Sequence, residues 1–531
     1  MIKRDLSILI PARNEMFLAK TVENILQNIE GNTEIIIVLD GTPADPPVPD
    51  HERVRIVTLS KSIGQRAATN MAARLSNAKY VAKCDAHCAF DKGFDVKMIA
   101  EMHDDWTMVP LMRNLHAFNW VCNKCGSKWF QSPTPECCYT QAKDWEKQVK
   151  NEKCDGTEFY REIVWKPNKN RPRSKAYRFD TDMHFQYDGR WADMQEGDIT
   201  STMSLQGSFF MMTRQKYWEL NICDEAFGSW GQQGVEVACK TWLSGGQVMC
   251  NRKTWYAHMF RTQGGDFGMP FPLSQRAVQH ARDFSKDLFL KNKWPLAKHK
   301  LQWMFNKFKP EGWPTKGIIY YTDNQLNLKI AHKVQKQLKK MELPIVSSSL
   351  KPMTFGDKNI VLPLKRGSLT MFKQILAALE ALDTDIVYFC EHDVLYHPSH
   401  FDFTPEKKDK FYYNQNFWKV WPDGFVAHWD ANQVSGLCCY REHAIEFYKK
   451  RIQEVEKEFN RSYEPGGRDK SLYEVWKSEY PNIDIRHDNN LTNSHKSPDR
   501  FRDKSTCVNW QDGGIDLIQG WDRSVFDGII R

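Results

Sequence analysis

Residues Tyr80-Val-Ala-Lys-Cys-Asp85-Ala-His87 run from an apolar stretch into an acid, a spacer and a histidine. In an extended chain, side chains two apart point the same way. Asp85 and His87 therefore share one side of a strand end. A carboxylate and an imidazole so placed are ligand types for a divalent cation. A related run lies far down the chain, where Asp385-Ile-Val-Tyr-Phe-Cys390 leads into Glu391-His-Asp393. Each motif alone reads more simply as surface polarity, so the elements around them decide what they mean.

A third group is made of cysteines. Cys122-Asn-Lys-Cys125-Gly is a turn that aims two thiolates at one tetrahedral metal, and Cys137, Cys138 and Cys154 follow. The spacing predicts a structural Zn2+ inserted in the loop layer. Cys137 or Cys138, together with Cys154 or His116, would supply the third and fourth ligands; the preferred set is Cys122, Cys125, Cys138 and Cys154. Free thiols or a redox pair are the bland alternative.

The elements that must carry these groups alternate strand and helix. Leu6-Ser-Ile-Leu-Ile10 and Glu34-Ile-Ile-Ile-Val-Leu39 are unbroken apolar runs, and Val54 to Leu59 is a third. Between the first two, Leu18, Val22, Ile25, Leu26 and Ile29 recur at helical spacing. Apolar strands alternating with helices predict a parallel α/β sheet covered on both faces. Ligands of such sheets bind at the carboxyl ends of the strands. Pro11, Ala12, Arg13 and Glu15 follow the first strand, Asp40 the second and Asp85 the fourth. Gly64-Gln65-Arg66 opens the helix after the third.

These blocks resemble the GT-A glycosyltransferases of the family-2 type. Asp-x-His in place of Asp-x-Asp is similar to the polypeptide N-acetylgalactosaminyltransferases. So is a second block: Asp224-Glu-Ala-Phe-Gly-Ser-Trp230-Gly-Gln-Gln233-Gly-Val-Glu236, then Trp242-Leu-Ser-Gly-Gly246, then His258-Met-Phe-Arg261. The resemblance covers roughly residues 5–265 in scattered blocks. It implies that His258 joins Asp85 and His87 around Mn2+ or Mg2+. It also implies that Pro11 to Glu15, Asp40, Gln65, Arg66, Asp85, Trp230 and Arg261 hold a nucleotide-sugar, uridine-linked. The chain departs from the pattern at Gln233, where the family has Glu. Gln cannot take a proton from an acceptor. Glu236 or Asp224 would have to serve as the base, or a retaining mechanism would need none, so the stereochemical outcome stays open.

The second half repeats the plan. Gly317 to Thr322 ends in Asp323, and Ile360 to Leu364 leads to Lys365-Arg366-Gly. By analogy Asp323 and Arg366 would hold a second nucleotide-sugar. Glu391 and Asp393 would hold a second cation, with His487 or His495 completing the set, or His397 or His400, which are closer in sequence; His495 is the position adopted. The expected fold is α/β, two GT-A domains in tandem. Residues 1–275 form the first, with a Cys-rich insert at about 116–160, 276–314 a basic amphipathic connector, and 315–531 the second.

The chain of 531 residues is too long for one ordinary core. No apolar run approaches the roughly 20 residues of a membrane helix. Pro11 and Arg13 cut the first apolar run short of a signal peptide, so a cytosolic protein away from membranes is expected. A net charge of +8 is compatible with phosphorylated substrates or a polyanionic acceptor and requires neither. The expected activity is a metal-dependent glycosyltransferase, bifunctional, moving sugars to a glycan, a protein side chain or a hydroxymethylated DNA base. The competing class is a nucleic-acid- or glycan-binding scaffold with one or both halves degenerate.

Overall fold

A computed structural model describes residues 3–136, 138, 154–168, 174–261, 268–457, 465–467, 469–487, 489 and 504–530. It divides into two compact units, one of residues 1–304 and 310–313, the other of 305–309 and 314–531. Both are mixed α/β. Among the described residues no helix is long and apolar enough to cross a membrane.

In the first unit the parallel strands are β1 (Leu6–Ala12), β2 (Thr33–Leu39), β3 (Val54–Thr58) and β4 (Tyr80–Cys84), in the order β3-β2-β1-β4. Every residue of β2 and β4 is buried, which is why those segments read as unbroken apolar runs rather than alternating ones. The helix α1 (Leu18–Asn28) lays Leu18, Val22 and Ile25 on the sheet. Beyond β4 the sheet turns antiparallel through Phe209–Thr213 and Trp106–Cys122. Gln247–His258 then lies parallel to Trp106–Cys122, with a register shift between Asn251 and Trp255.

Two features of this layout position chemistry. Cys88–Phe90, the short strand directly after His87, pairs antiparallel with Tyr256–His258, so His258 stands opposite Cys88. The 17-residue strand Trp106–Cys122 also runs out of the central sheet and pairs with Lys128–Phe130 and Phe159–Pro167. That ribbon carries the cysteine cluster. The segment expected as a connector begins with the helix Gln275–Phe289, whose Ala281, Ser285 and Phe289 are buried in the first unit.

The second unit orders its strands as Lys358–Val361, Ile345–Ser349, Lys316–Thr322, Ile386–Glu391, Leu437–Tyr440, Phe411–Asn414 and Tyr473–Trp476. The first four are parallel, the next two alternate in sense, and the last is parallel to its neighbour. Leaving aside the first unit's edge strand Ile199–Ser201 and its short side strands, and counting in order of appearance along the chain, both units read 3-2-1-4-6-5-7 with the same senses. Ile318 and Tyr320 enter one apolar cluster while Ile319 and Tyr321 enter the other. This sheet is thus covered on both faces. A further five-stranded sheet pairs Val394–Leu395 with Asn482–Ile485.

Candidate functional site

The carboxyl ends of β1, β2 and β4 open into a cavity of about 650 Å3 in the first unit. That volume is typical of sites for organic ligands and cofactors. Pro11, Ala12, Arg13, Glu15, Asp40, Gln65, Asp85, His87, Trp230, Gln233, His258 and Arg261, all named from the sequence, line it.

At its floor three ligand-type atoms converge. His87 Nε2 and His258 Nε2 are 3.1 Å apart, and His258 Nε2 is 3.3 Å from Asp85 Oδ2. The ring nitrogens face each other because the antiparallel pairing sets His258 beside the residue after His87. Burial pushes the His258 pKa down to about 4, against the pull of Asp85. The imidazole is therefore neutral at physiological pH, the form a metal ligand needs. Burial works to raise the Asp85 pKa, but Lys83, His258 and His87 outweigh it and hold the carboxyl well below the usual range. Two imidazoles and a carboxylate, close together and partly or fully buried, fit a divalent cation of the manganese type.

Glu15 supports this group from behind. Its Oε2 lies 3.4 Å from His87 Nδ1 and 2.7 Å from Arg261 Nη2. A carboxylate on the far nitrogen of a ligating histidine fixes its ring and raises its basicity. Lys83 was not singled out from the sequence. It is buried, paired with Asp85, and donates to Gly207 O at 2.8 Å. Its signal was legible, since Lys83, Asp85 and His87 alternate on one side of the extended chain.

Other placements depart from the expectations. Arg66 is buried and pairs with Glu236 and Gly231 O instead of lining the cavity. Glu236 is fully buried, with Lys240 Nζ at 2.9 Å and Asp224 N donating to it at 2.9 Å. The chain needs this carboxylate to neutralise two buried cations, so it does not face an acceptor. Asp224 caps the short turn Glu225–Phe227 through Ala226 N and also stays off the cavity. Gln233 does reach the cavity but donates to Cys223 Sγ and accepts from Gln65. Asp40 accepts from Ser62 Oγ, Ile63 N and Gly64 N, which fixes the loop that opens the helix Gln65–Leu75.

In the second unit His392, Asp393 and His487 converge. His487 Nε2 is 3.2 Å from Asp393 Oδ2, and His392 Nε2 is 3.9 Å from it. Glu391 is not in the group. It is still within its strand, and its carboxylate accepts from Tyr321 Oη at 2.7 Å. His495 lies outside the described residues. Asp323 and Arg366 pair with each other at 2.5 Å.

The four cysteines Cys122, Cys125, Cys138 and Cys154 also converge, with their sulfurs all within 4.8 Å of one another. Cys137 lies outside the described residues. His116, the alternative ligand, instead bonds Asn119 Oδ1 at 2.7 Å.

No curated protein sequence matches the chain. Among solved structures, one that it resembles is the crystal structure of GalNAc-T7 with UDP, GalNAc and Mn2+. The match has 13% identity and a TM-score of 0.38, and covers 57% of this chain and about half, 50%, of that one. The family model for Glycosyl transferase family 2 matches residues 7–129, the stretch that holds β1 to β4, Asp40, Asp85 and His87. Residues 7–129 of the N-terminal unit are therefore similar to a glycosyltransferase domain of family 2, on the α/β plan described above.

Proposed function

We propose that the first unit transfers a sugar from a nucleotide-sugar donor, of the UDP type, to a hydroxyl acceptor, with Mn2+ or Mg2+ held by Asp85, His87 and His258. The observation that carries this reading is the convergence of those three side chains at the strand ends, on the floor of the cavity. A bound cation there would neutralise charge on the departing diphosphate. Glu15 keeps the His87 ring oriented, and Lys83 keeps Asp85 ionised and aimed. The cavity carboxylates among the described residues are Glu15, Asp40 and Asp85, and each is engaged by Arg261, the Ser62–Gly64 loop or Lys83. None is placed to take an acceptor proton. We read the transfer as retaining, with the acceptor proton passing to the departing phosphate oxygen.

A second reading concerns the other unit. There too a short strand, Val394–Leu395, follows the acidic strand end and pairs antiparallel with the strand that precedes a histidine, His487. This repeated device favours a second, independent transfer site at His392, Asp393 and His487.

The test presents labelled donor to three acceptors, an oligosaccharide, a protein and hydroxymethylated DNA, with and without Mn2+. Asp85→Asn is expected to abolish one metal-dependent transfer and Asp393→Asn the other. Turnover that survives both substitutions would sink the assignments. A chain without turnover or metal-dependent nucleotide binding would be a binding scaffold. NMR of the product anomer checks the stereochemistry; inversion would point to His184, a lining side chain that can accept a proton.

A further inference from the structure

We propose that Cys122, Cys125, Cys138 and Cys154 bind one structural Zn2+, which staples the outer ribbon of the first unit and is separate from the cation site at Asp85. The sulfur spacing is the first argument. Cys122 and Cys154 are 3.8 Å apart, and Cys125 and Cys138 are 3.4 Å apart. Two sulfurs on a tetrahedral zinc at about 2.3 Å stand about 3.8 Å from each other. A disulfide would place them at about 2.05 Å. Four thiols gathered in one group match the first spacing and not the second.

The backbone around the sulfurs is built for them. Gly126 N donates to Cys122 O at 2.9 Å, and Cys122 N donates to Ser127 O at 3.0 Å, so Cys122 and Cys125 sit on a tight turn. Gly126 takes the left-handed conformation that this turn requires, with φ +73°. Cys138 N donates to Gly156 O at 2.7 Å, which ties the third cysteine to the stretch that bears the fourth. Gly156 N points at Cys154 Sγ at 3.4 Å, the kind of N–H contact that stabilises a thiolate. A Cβ on Gly156 would lie 2.7 Å from Cys122 Sγ, so the sulfurs pack directly on its Cα. Three of the four cysteines are buried. With four protein ligands no position is left for water, so the role is structural.

That role reaches the cavity. Cys122, Cys138 and Cys154 share one apolar cluster with Phe17, Ala257 and Met259. Those residues neighbour Glu15 and His258 in sequence. The strand that ends at Cys122 also sets Asn114 opposite His258. A zinc at the outer end of this strand thus steadies the element against which His258 is registered.

Elemental analysis of the full chain, purified without chelator and then treated with EDTA, tests the proposal. The expected result is one tightly held zinc per chain. It should resist EDTA and be released by a mercurial that titrates thiols. Replacement by Co2+ should give the intense sulfur-to-metal absorption of tetrahedral thiolate ligation. Cys125→Ser, at the exposed member, should lower zinc content several-fold. Should that variant not fold, the metal content and Co2+ spectrum of the unaltered chain decide. A folded chain without zinc, or one whose intact mass shows two disulfides, overturns the proposal.

Discussion

Glu236→Gln separates a structural carboxylate from a catalytic one. Glu236 is 0% exposed and faces two cations, Arg66 at 1% and Lys240 at 0%. Both cations also stand over the Phe227 ring, at 4.7 and 5.7 Å. Asp224, at 3.4 Å from Lys240 and 19% exposed, is the other carboxylate near them. Replacing Glu236 by its amide keeps the volume and removes the charge. Two cations are then left buried with one partly hydrated counter-charge, which reaches Lys240 alone of the two in a direct ion pair. Breaking a buried pair in this way costs about 3–5 kcal/mol. For a unit of this size, that corresponds to roughly 5–8 °C in melting temperature. Calorimetry of the full chain reads this shift, with Gln233→Ala as the comparison. Gln233 bonds Cys223 and Gln65 through a neutral amide and holds no buried charge, so that change should move melting far less. A Glu236→Gln chain that melts with the unaltered protein, yet has lost transfer, would refute the reasoning and return Glu236 to the reacting atoms.

Two further perturbations follow from the packing. Gly234→Ala would place a Cβ 2.0 Å from Leu205 O, and both residues line the cavity. The backbone must shift there, so donor affinity, read by calorimetric titration with UDP and Mn2+, should fall at least tenfold; unchanged affinity would show that the cavity wall yields freely. In the second unit, burial holds the His400 pKa down to about 3 from 6.5, while its Nδ1 faces the Asn414 and Asn482 amides. The folded state thus binds fewer protons than the unfolded one between these values. The stability associated with His400 is complete above pH 6.5 and is lost as pH falls from 6.5 toward 3. From pH 6.5 to 5 the loss is about 2 kcal/mol. Urea midpoints should show that slope in the unaltered chain and a shallower one in His400→Gln; equal slopes would count against it.

The parts of the fold that were legible are those whose physics is local. β1, β2 and β4 announce themselves because burial on both faces demands an unbroken apolar run. Asp85 and His87 were singled out by the two-residue period of a strand, although they meet at the bend between β4 and the strand Cys88–Phe90. Arg66 and Glu236 were misplaced for a non-local reason. They are 170 residues apart, and nothing in either segment says that the guanidinium turns back onto the carboxylate. A motif fixes which residues lie near a cavity, but not which partner each side chain of one helix face reaches. Gln233 faces the cavity, and Glu236, three residues on, faces the ion cluster.

The second unit shows the same limit at single-residue scale. Matching Cys84-Asp85-Ala-His87 to Cys390-Glu391-His-Asp393 sets Glu391 in the place of Asp85. The strands do not end alike, however. β4 stops at Cys84, so Asp85 is the first residue free of the strand. Its counterpart runs to Glu391, which pairs with Tyr321 in the neighbouring strand. The carboxylate of Glu391 is turned to Tyr321 Oη, and His392 and Asp393 are the first residues past the strand end. His487 reaches them because Val394 pairs with Asp484, and Ile485 N donates to Asp393 O at 2.9 Å. The pairing that delivers the late histidine is therefore the more durable feature of the two halves, and the identity and offset of the acids at the strand end follow from where each strand stops.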